Sequence, residues 1–386
     1  MDRRRLMALA GRFGAIAAVS PLARTASLLA QGQDPWGKEA LMRLSVRPPD
    51  YETPVALLDS LITPIERFYV RCHLPVPPTA DAQAWSLRVE GEVTTPASLT
   101  VAELRALPAI TTTVTLECAG NGRAFFAPPV AGIQWRKGAV GTARWTGARL
   151  ADVLTRAGVK NTARFVHMAG ADRPLGTMPP FVRQVPMEKA MHADTVIAYE
   201  MNGQPIPQIH GAPLRAIVPG WEGAYSVKWL NHLRVSATES DSFWVATAYR
   251  YPVRRVGPGA AVEAKDMVPL TGLVVKSLIT TPLEGAVVSS GPLAVAGFAW
   301  AGEADIARVD ISVNHGETWQ PARLAGEQQR YTWRRFEFGF TPERPASYLI
   351  LSRATDTNGN VQPAVSHWNP SGYLWNQYDS VRVEVK

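Results

Sequence analysis

The sequence predicts an α+β domain followed by a smaller all-β domain. Its 386 residues are more than one ordinary hydrophobic core organises, which favours two domains. The 12 tryptophans and 31 prolines indicate short strands and ordered loops, and not a bundle of long helices. Pro and Gly cluster over residues 252–268, so we expect the boundary between the domains there.

The predicted α+β domain begins with an irregular segment, followed by a strand, a helix and a second strand. Residues 31–80 are rich in Pro and lack a long hydrophobic period. Residues 85–91 alternate between apolar and polar side chains as a strand does. Thr100 has Glu103 three residues further on, which is the pattern of a helix N-terminus. The β-branched run 111–116 predicts the second strand.

The rest of this domain is predicted to mix one longer helix with short strands. Residues 149–157 have the pattern of a helix, and Gly158 is suited to end it. Asn202-Gly203 is a signal for a tight hairpin turn. The other candidate elements are a strand at 163–168, a short helix and a strand within 185–200, and strands at 214–218 and 227–236.

Beyond about residue 268 the pattern consists almost entirely of strands and turns. Turn signals occur at 314–316 and 358–359. Strands at this spacing over about 115 residues predict a β-sandwich. The candidate strands are 293–300, 306–313, 332–340 and 347–355.

The net charge does not indicate a nucleic-acid partner. The chain carries a formal charge of +7, but residues 1–30 contain five arginines and one acidic residue, so the remainder carries +3. Lys and Arg do not form a run after the N-terminus. A mildly positive body suits a small anionic substrate.

The N-terminus has the pattern of an export signal. Three consecutive arginines, Arg3 to Arg5, precede an apolar stretch over 13–22 and small residues up to Ala30. This predicts a twin-arginine signal over 1–30 and a periplasmic protein, with a basic tail as the alternative. No later segment has about 18 uninterrupted apolar residues, so we expect no membrane span.

The stretch most suggestive of chemistry is Glu117-Cys118-Ala119-Gly120-Asn121-Gly122-Arg123. The cysteine lies at the end of the predicted strand 111–116, and the glycines let the backbone approach a bulky group. A nearby guanidinium favours thiolate, which is a nucleophile and a soft metal ligand. The residues alone leave two other interpretations of Cys118 possible. It could be a buried cysteine with a structural role, or it could form a disulfide with Cys72.

Cys-Ala-Gly-Asn-Gly-Arg resembles the molybdenum-binding signature of the sulfite oxidase family. Order and spacing agree with the family from about residue 60 to 245, and the all-β tail resembles the family's dimerisation domain. The further matching segments are 68–77, 143–147, 199–205, 210–215, 218–220 and 227–230.

The resemblance implies a role for each matching residue. Cys118 would coordinate molybdenum, alongside the two sulfurs of the pterin dithiolene. Arg71, Arg123 and Tyr249 would line the substrate pocket, with Tyr251 as the alternative tyrosine. The residues that would hold the pterin and its phosphate are Tyr69, Val70, Arg71, Cys72, His73, Asp172, His210, Arg215, Ser226, Val227 and Lys228.

Three features bear on how far the resemblance extends. Cys72 stands where an asparagine is common in relatives, and we favour a packing role for its side chain. Ser371 stands where sulfite-oxidising relatives carry an arginine, which bears on sulfite specificity and not on the molybdenum site. No haem-attachment sequence Cys-x-x-Cys-His occurs, so we expect no haem and a separate electron acceptor such as a periplasmic cytochrome c.

The resemblance thus predicts a molybdopterin-binding catalytic domain over 31–265 and an immunoglobulin-like dimerisation domain over 268–386. The expected reaction is oxidation of sulfite to sulfate in a homodimer. The alternatives are a sulfane-sulfur dehydrogenase subunit, a reductase of the same fold, or a non-catalytic periplasmic binding protein.

Overall fold

The structure, a computed structural model, describes residues 34–79 and 81–386, which fall into two units. In the first unit, residues 34–39 form a turn in which the Asp34 carboxylate accepts a hydrogen bond from the backbone N–H of Trp36 (2.9 Å). The second unit is residues 40–386, to which the elements below belong. The predicted export signal at 1–30 lies outside the described residues. Within them, no helix has the length and apolar character needed to cross a bilayer.

The segment predicted to be irregular contains a β-hairpin, so that prediction is wrong in part. Strand β1 (Met42–Val46) pairs antiparallel with β2 (Pro49–Glu52). Tyr51 of β2 also bridges to Val70. All four β2 residues are buried, and although Pro49-Asp50-Tyr51-Glu52 alternates between apolar and polar residues, a run of four that begins with proline gives only a weak strand signal.

The first domain is built on two five-stranded sheets. One has the order β10-β9-β6-β5, with β11 also paired to β9, and the other has the order β4-β3-β12-β7-β8. Its elements are β3 (Ser86–Gly91), β4 (Ala97–Thr100), α1 (Val101–Arg105), β5 (Ala109–Glu117), β6 (Val140–Arg149), α2 (Leu150–Ala157), β7 (Phe165–Gly170), β8 (Val182–Pro186), α3 (Met187–Ala190), β9 (Val196–Met201), β10 (Gln204–Pro205), β11 (Arg215–Ile217), β12 (Leu230–Ser236) and α4 (Phe243–Ala246).

The local signals read from the sequence are confirmed. The Thr100 hydroxyl accepts from the N–H of Glu103 (3.2 Å), and the Glu103 carboxylate accepts from the N–H of Thr100 (2.8 Å), which closes a capping box on α1. Gly158 ends α2 in the left-handed conformation. Asn202 and Gly203 both have positive φ, as a tight hairpin turn requires. Strand β6 was not predicted, because it is buried on both faces along most of its length.

The second domain is a sandwich of two sheets around one core, as predicted. Its sheets have the orders β15-β17-β21-β20 and β16-β23-β22-β18-β19. β15, β16, β19, β20 and β23 were not predicted. The strands are β15 (Lys276–Thr281), β16 (Ala286–Val288), β17 (Leu293–Trp300), β18 (Ile306–Ser312), β19 (Gln320–Pro321), β20 (Arg323–Ala325), β21 (Arg334–Phe340), β22 (Ser347–Asp356) and β23 (Asp379–Val385).

The sandwich packs directly against the first domain. The connecting segment is closed by a hairpin of β13 (Arg250–Pro252) and β14 (Met267–Pro269). Trp333 donates its indole N–H to the carbonyl of Leu61 (2.8 Å), and its backbone N–H to the hydroxyl of Thr115 (2.8 Å) in β5. The strand that leads to Cys118 is therefore held by residues of both domains.

Candidate active site

A tight turn after β5 brings Cys118 and Arg123 together. The N–H of Cys118 donates to the carbonyl of Ala139, the residue before β6 (2.9 Å), and the N–H of Asn121 donates back to the carbonyl of Cys118 (2.8 Å). A Cβ on Gly120 would lie 2.8 Å from the guanidinium of Arg123, so any larger residue there would displace the guanidinium from its present position. The small residues after the cysteine thus let the turn close.

Two cavities meet at Cys118. The larger has a volume of about 630 Å³ and the smaller about 500 Å³. Four side chains line both cavities, those of Arg71, His73, Cys118 and Tyr249. The side chain expected to bind a metal therefore lies at the junction of a large chamber and a separate pocket.

The larger cavity brings together the residues predicted to bind the cofactor. Eleven of the twelve line it, although they come from four separate parts of the chain. Cys72 is the exception, because its thiol is fully buried and accepts from the Lys228 ammonium (2.9 Å). Both cysteines are free, so the disulfide left open by the sequence is not formed.

One part of the larger cavity is lined by cations without matching acids. Arg215 donates to the carbonyls of Ser226 (3.2 Å) and His210 (3.1 Å). Within the described chain, neither Arg215 nor Lys228 has a carboxylate within 4 Å. Burial lowers the pKa of Arg215 to about 10 and also lowers that of Lys228. Asp172, in the same cavity, attracts Lys228 but forms no ion pair with it, so a bound anionic group would stabilise both cations further.

Arg71 is held in place by a buried acid that the sequence did not single out. Its guanidinium pairs with the carboxylate of Asp50 (3.2 Å), which is 1% exposed and also accepts from the N–H of Cys72 (3.0 Å). Asp50 lies in β2, within the segment expected to be irregular. An acidic residue in a Pro-rich stretch offers no signal by itself, because its partner is 21 residues further along the chain.

Tyr249, and not Tyr251, lines the cavities. Its hydroxyl is hydrogen-bonded to the Nε2 atom of His73, whose ring stacks on Phe181. Burial lowers the pKa of His73 well below its ordinary value, so the imidazole is neutral near pH 7. Tyr251 lies in β13 and lines neither cavity. The alternative alignment is thereby resolved by position.

The smaller cavity contains Arg123 and Ser371. Arg123 donates to the carbonyls of Ile133 (3.1 Å) and Ser371 (3.4 Å), and its guanidinium lies over the ring of Tyr373. The Ser371 hydroxyl donates to the carbonyl of Arg250 (2.7 Å). The position where relatives carry an arginine therefore does border this pocket, but it supplies no charge.

The protonation state of Cys118 differs from the sequence-based expectation. Burial raises the pKa of the thiol to about 11, although Arg71 and Arg123 act to lower it. Removing the sulfur from water thus costs more than the two guanidiniums recover. A metal binds the thiolate, so coordination at Cys118 is coupled to release of this proton.

Several further lining residues were not found from the sequence. Glu222 is fully buried in the wall of the larger cavity, and burial raises its pKa to about 7. Trp244 and Tyr373 line the smaller cavity, and Tyr373 stacks face to face on Tyr249. Tyr373 lies two residues after Ser371, so extending that matching segment would have found it.

The residues present fit a molybdenum–pterin cofactor. The larger cavity is lined by both a thiol and several cations. Its cationic part suits a phosphate, and its thiol offers the soft donor that molybdenum binds. The Nε of Arg123, whose side chain lines the neighbouring pocket, is buried and has no hydrogen-bond partner among the described residues.

Comparison with known proteins agrees with this geometry. Residues 73–244 match the oxidoreductase molybdopterin binding domain, and residues 268–386 match the Mo-co oxidoreductase dimerisation domain. Mitochondrial sulfite oxidase of Rattus norvegicus is 39% identical over 374 residues, which covers 91% of this chain and 67% of that protein. Sulfite oxidase of Arabidopsis thaliana is 32% identical over 356 residues, covering 86% and 90%.

A solved structure is similar along almost the whole chain. The sulfane dehydrogenase SoxCD from Paracoccus pantotrophus superposes with a TM-score of 0.77 at 26% sequence identity. The superposition covers 98% of this chain and 96% of that one. Since a relative at 32% identity is covered over 90% of its length and both domain models match, the chain belongs to the sulfite oxidase family of molybdopterin enzymes.

Proposed function

We propose that this protein oxidises sulfite to sulfate and passes the electrons to a separate acceptor, such as a periplasmic c-type cytochrome. The observation that carries the proposal is the meeting of the two cavities at Cys118. One cavity has the thiol and the positive charge that the cofactor needs, and the other presents two guanidiniums to an oxyanion. The overall reaction converts sulfite and water to sulfate, two protons and two electrons.

In this proposal the protein's own residues bind the cofactor and the substrate and orient the groups around them. The molybdenum cofactor supplies the two-electron redox chemistry. Arg215 and Lys228 hold its anionic end, and Cys118 binds its metal. Arg71 and Arg123 hold the substrate oxyanion by charge-assisted hydrogen bonds, for which guanidinium is well suited. The neutral imidazole of His73 fixes the direction of the Tyr249 hydroxyl at the junction of the cavities.

Two measurements on the purified protein test the proposal. Molybdenum content distinguishes an enzyme, which should contain about one atom per chain, from a non-catalytic binding protein, which should contain none. Reduction of an artificial acceptor is then followed with sulfite, a sulfane-sulfur donor and a sulfoxide. Molybdenum with no sulfite-dependent turnover would contradict sulfite oxidation.

Tyr249→Phe tests whether the tyrosine hydroxyl acts in the reaction. We expect kcat to fall by about 10- to 100-fold, the value of one hydrogen bond to a charged group, with a smaller change in KM. Tyr251→Phe is the matched control, since Tyr251 lines neither cavity, and should leave both constants unchanged. A larger effect at Tyr251 than at Tyr249 would reverse the assignment.

A second candidate, sulfane-sulfur oxidation, is favoured by Ser371. The smaller cavity lacks a third guanidinium, and its aromatic lining by Trp244 and Tyr373 suits a bulkier, less charged substrate. The similar structure of a sulfane dehydrogenase supports the same reading. A kcat/KM for a sulfane donor well above that for sulfite would establish this candidate over the first.

We also propose a homodimer assembled through residues 268–386. One sheet of the sandwich has the order β15-β17-β21-β20. When the short strands β16 and β19 are left out, these are the first, second, fifth and fourth strands, which is the order of an immunoglobulin-like domain. The match of these residues to a dimerisation domain supports this assembly. The mass of the full chain in solution tests it, and a monomer at micromolar concentration would contradict it.

Export to the periplasm after cofactor insertion is the proposal for localisation. Replacing Arg3, Arg4 and Arg5 together by lysine should leave active enzyme in the cytoplasm, because twin arginines direct folded proteins outward. The triple change is used so that no shifted pair remains. Activity is measured in separated periplasmic and cytoplasmic fractions, and undiminished periplasmic activity would contradict the signal.

A further inference from the structure

A buried ion pair joins the β-sandwich to the turn that carries Cys118. The ammonium of Lys276, the first residue of β15, lies 2.5 Å from a carboxylate oxygen of Glu117. Glu117 is the last residue of β5 and directly precedes the cysteine. Both side chains are about 5% exposed. Burying two charges costs free energy, so an ion pair beside the site is expected to have a specific structural role.

Trp300 of the sandwich is hydrogen-bonded to the other oxygen of the same carboxylate. Its indole N–H donates to the second oxygen of Glu117 (2.9 Å). Lys276 and Trp300 are opposite each other in the pairing of β15 with β17. The two donors are therefore fixed relative to one another by the sandwich sheet and reach Glu117 from one rigid surface.

The same lysine also contacts the far end of the turn. The Lys276 ammonium lies 3.3 Å from the carbonyl of Asn121, three residues after the cysteine. The Asn121 side chain donates to Glu117 (2.9 Å) and accepts from the N–H of Ala139 (3.1 Å). The residues on both sides of Cys118 are thus tied to one ammonium group of the other domain.

We propose that Lys276 and Trp300 are positioning residues for Cys118, so that the β-sandwich sets the geometry of the metal's thiolate ligand through Glu117. The inference rests on the proposed function, because it assumes that Cys118 binds the metal. It gives the second domain a role inside the active site of its own chain, independent of dimerisation. Positioning matters because a misplacement of about 1 Å can cost about 100-fold in rate.

The test uses the full-length, cofactor-loaded enzyme with Lys276→Met and Trp300→Phe. Each protein is partly reduced with dithionite, and the Mo(V) signal is recorded by electron paramagnetic resonance, since its g-values report ligand geometry and not turnover. We expect both variants to shift the g-values, and Lys276→Met to lower kcat about 10-fold with KM within about twofold. Trp300→Phe keeps the aromatic ring and removes one hydrogen bond, so it serves if Lys276→Met does not fold.

Glu303→Gln is the matched control. It removes another ion pair between the two domains, Glu303 with Lys189, which does not touch the turn around Cys118. We expect wild-type g-values and kcat from it. If the folded Lys276 and Trp300 variants behave like Glu303→Gln, the sandwich does not position the cysteine and the inference is wrong. If the wild type contains no molybdenum, the proposed function itself fails.

Discussion

Replacing Cys118 with serine is expected to abolish turnover while leaving the protein folded. The thiol lies at the junction of the two cavities and is 9% exposed. Among the described residues that line either cavity, no other side chain offers a soft donor. A serine hydroxyl is a harder and weaker ligand. The loss should exceed the roughly 10- to 100-fold that outer-shell changes around a metal typically cause.

Steady-state turnover and circular dichroism of the Cys118→Ser variant decide this prediction. The change replaces sulfur by oxygen at nearly constant volume, so the thermal unfolding midpoint should stay close to that of the wild type. Molybdenum content should also fall if the thiolate contributes to retention of the cofactor. A folded variant with near-normal turnover would remove Cys118 from the metal site.

Replacing Arg123 with glutamine is expected to raise the KM for sulfite by about 10- to 150-fold. This corresponds to losing one charge-assisted hydrogen bond of about 1.5–3 kcal/mol. Ser371 supplies no charge in this pocket, so Arg71 and Arg123 carry oxyanion binding between them. Arg71→Gln should raise KM similarly, and it also leaves the buried carboxylate of Asp50 without its ion-pair partner.

Arg105→Gln provides the matched control for the arginine variants. Arg105 pairs with Glu200 at the surface (2.8 Å), and it lines neither cavity. Its KM should equal that of the wild type, because an exposed ion pair contributes little. Unchanged KM in both Arg71→Gln and Arg123→Gln would mean that the anion binds elsewhere. In that case the sulfane-sulfur candidate becomes the better account of the smaller cavity.

Much of the fold can be predicted from local sequence patterns such as helix caps, turns and alternating strands. The capping box at Thr100 and Glu103, the helix end at Gly158 and the turn at Asn202-Gly203 depend on residues within four positions of one another. Strands exposed on one face show alternation, which predicted β3. β6 was missed because a strand buried on both faces loses that alternation, and β2 was missed because a run of four residues that begins with proline gives only a weak strand signal.

The sequence by itself predicted which residues carry chemistry. The run from Glu117 to Arg123 indicated a reactive or metal-binding cysteine, and its resemblance to one family named the other candidate positions. Two alternatives remained open on the residues alone, the disulfide between Cys72 and Cys118 and the choice between Tyr249 and Tyr251. Each depends on distances between segments far apart in the chain, which no local pattern encodes.

Only the tertiary structure decided how those residues act together. It joins the cofactor residues and the pocket arginines at Cys118, and among the described residues it leaves Arg215 and Lys228 without a carboxylate within 4 Å. Burial also outweighs two guanidiniums and raises the pKa of the Cys118 thiol to about 11, so a metal bound there would displace its proton. Burial and long-range pairing set these properties, because desolvation and Coulomb energies depend on the surrounding atoms and not on sequence neighbours.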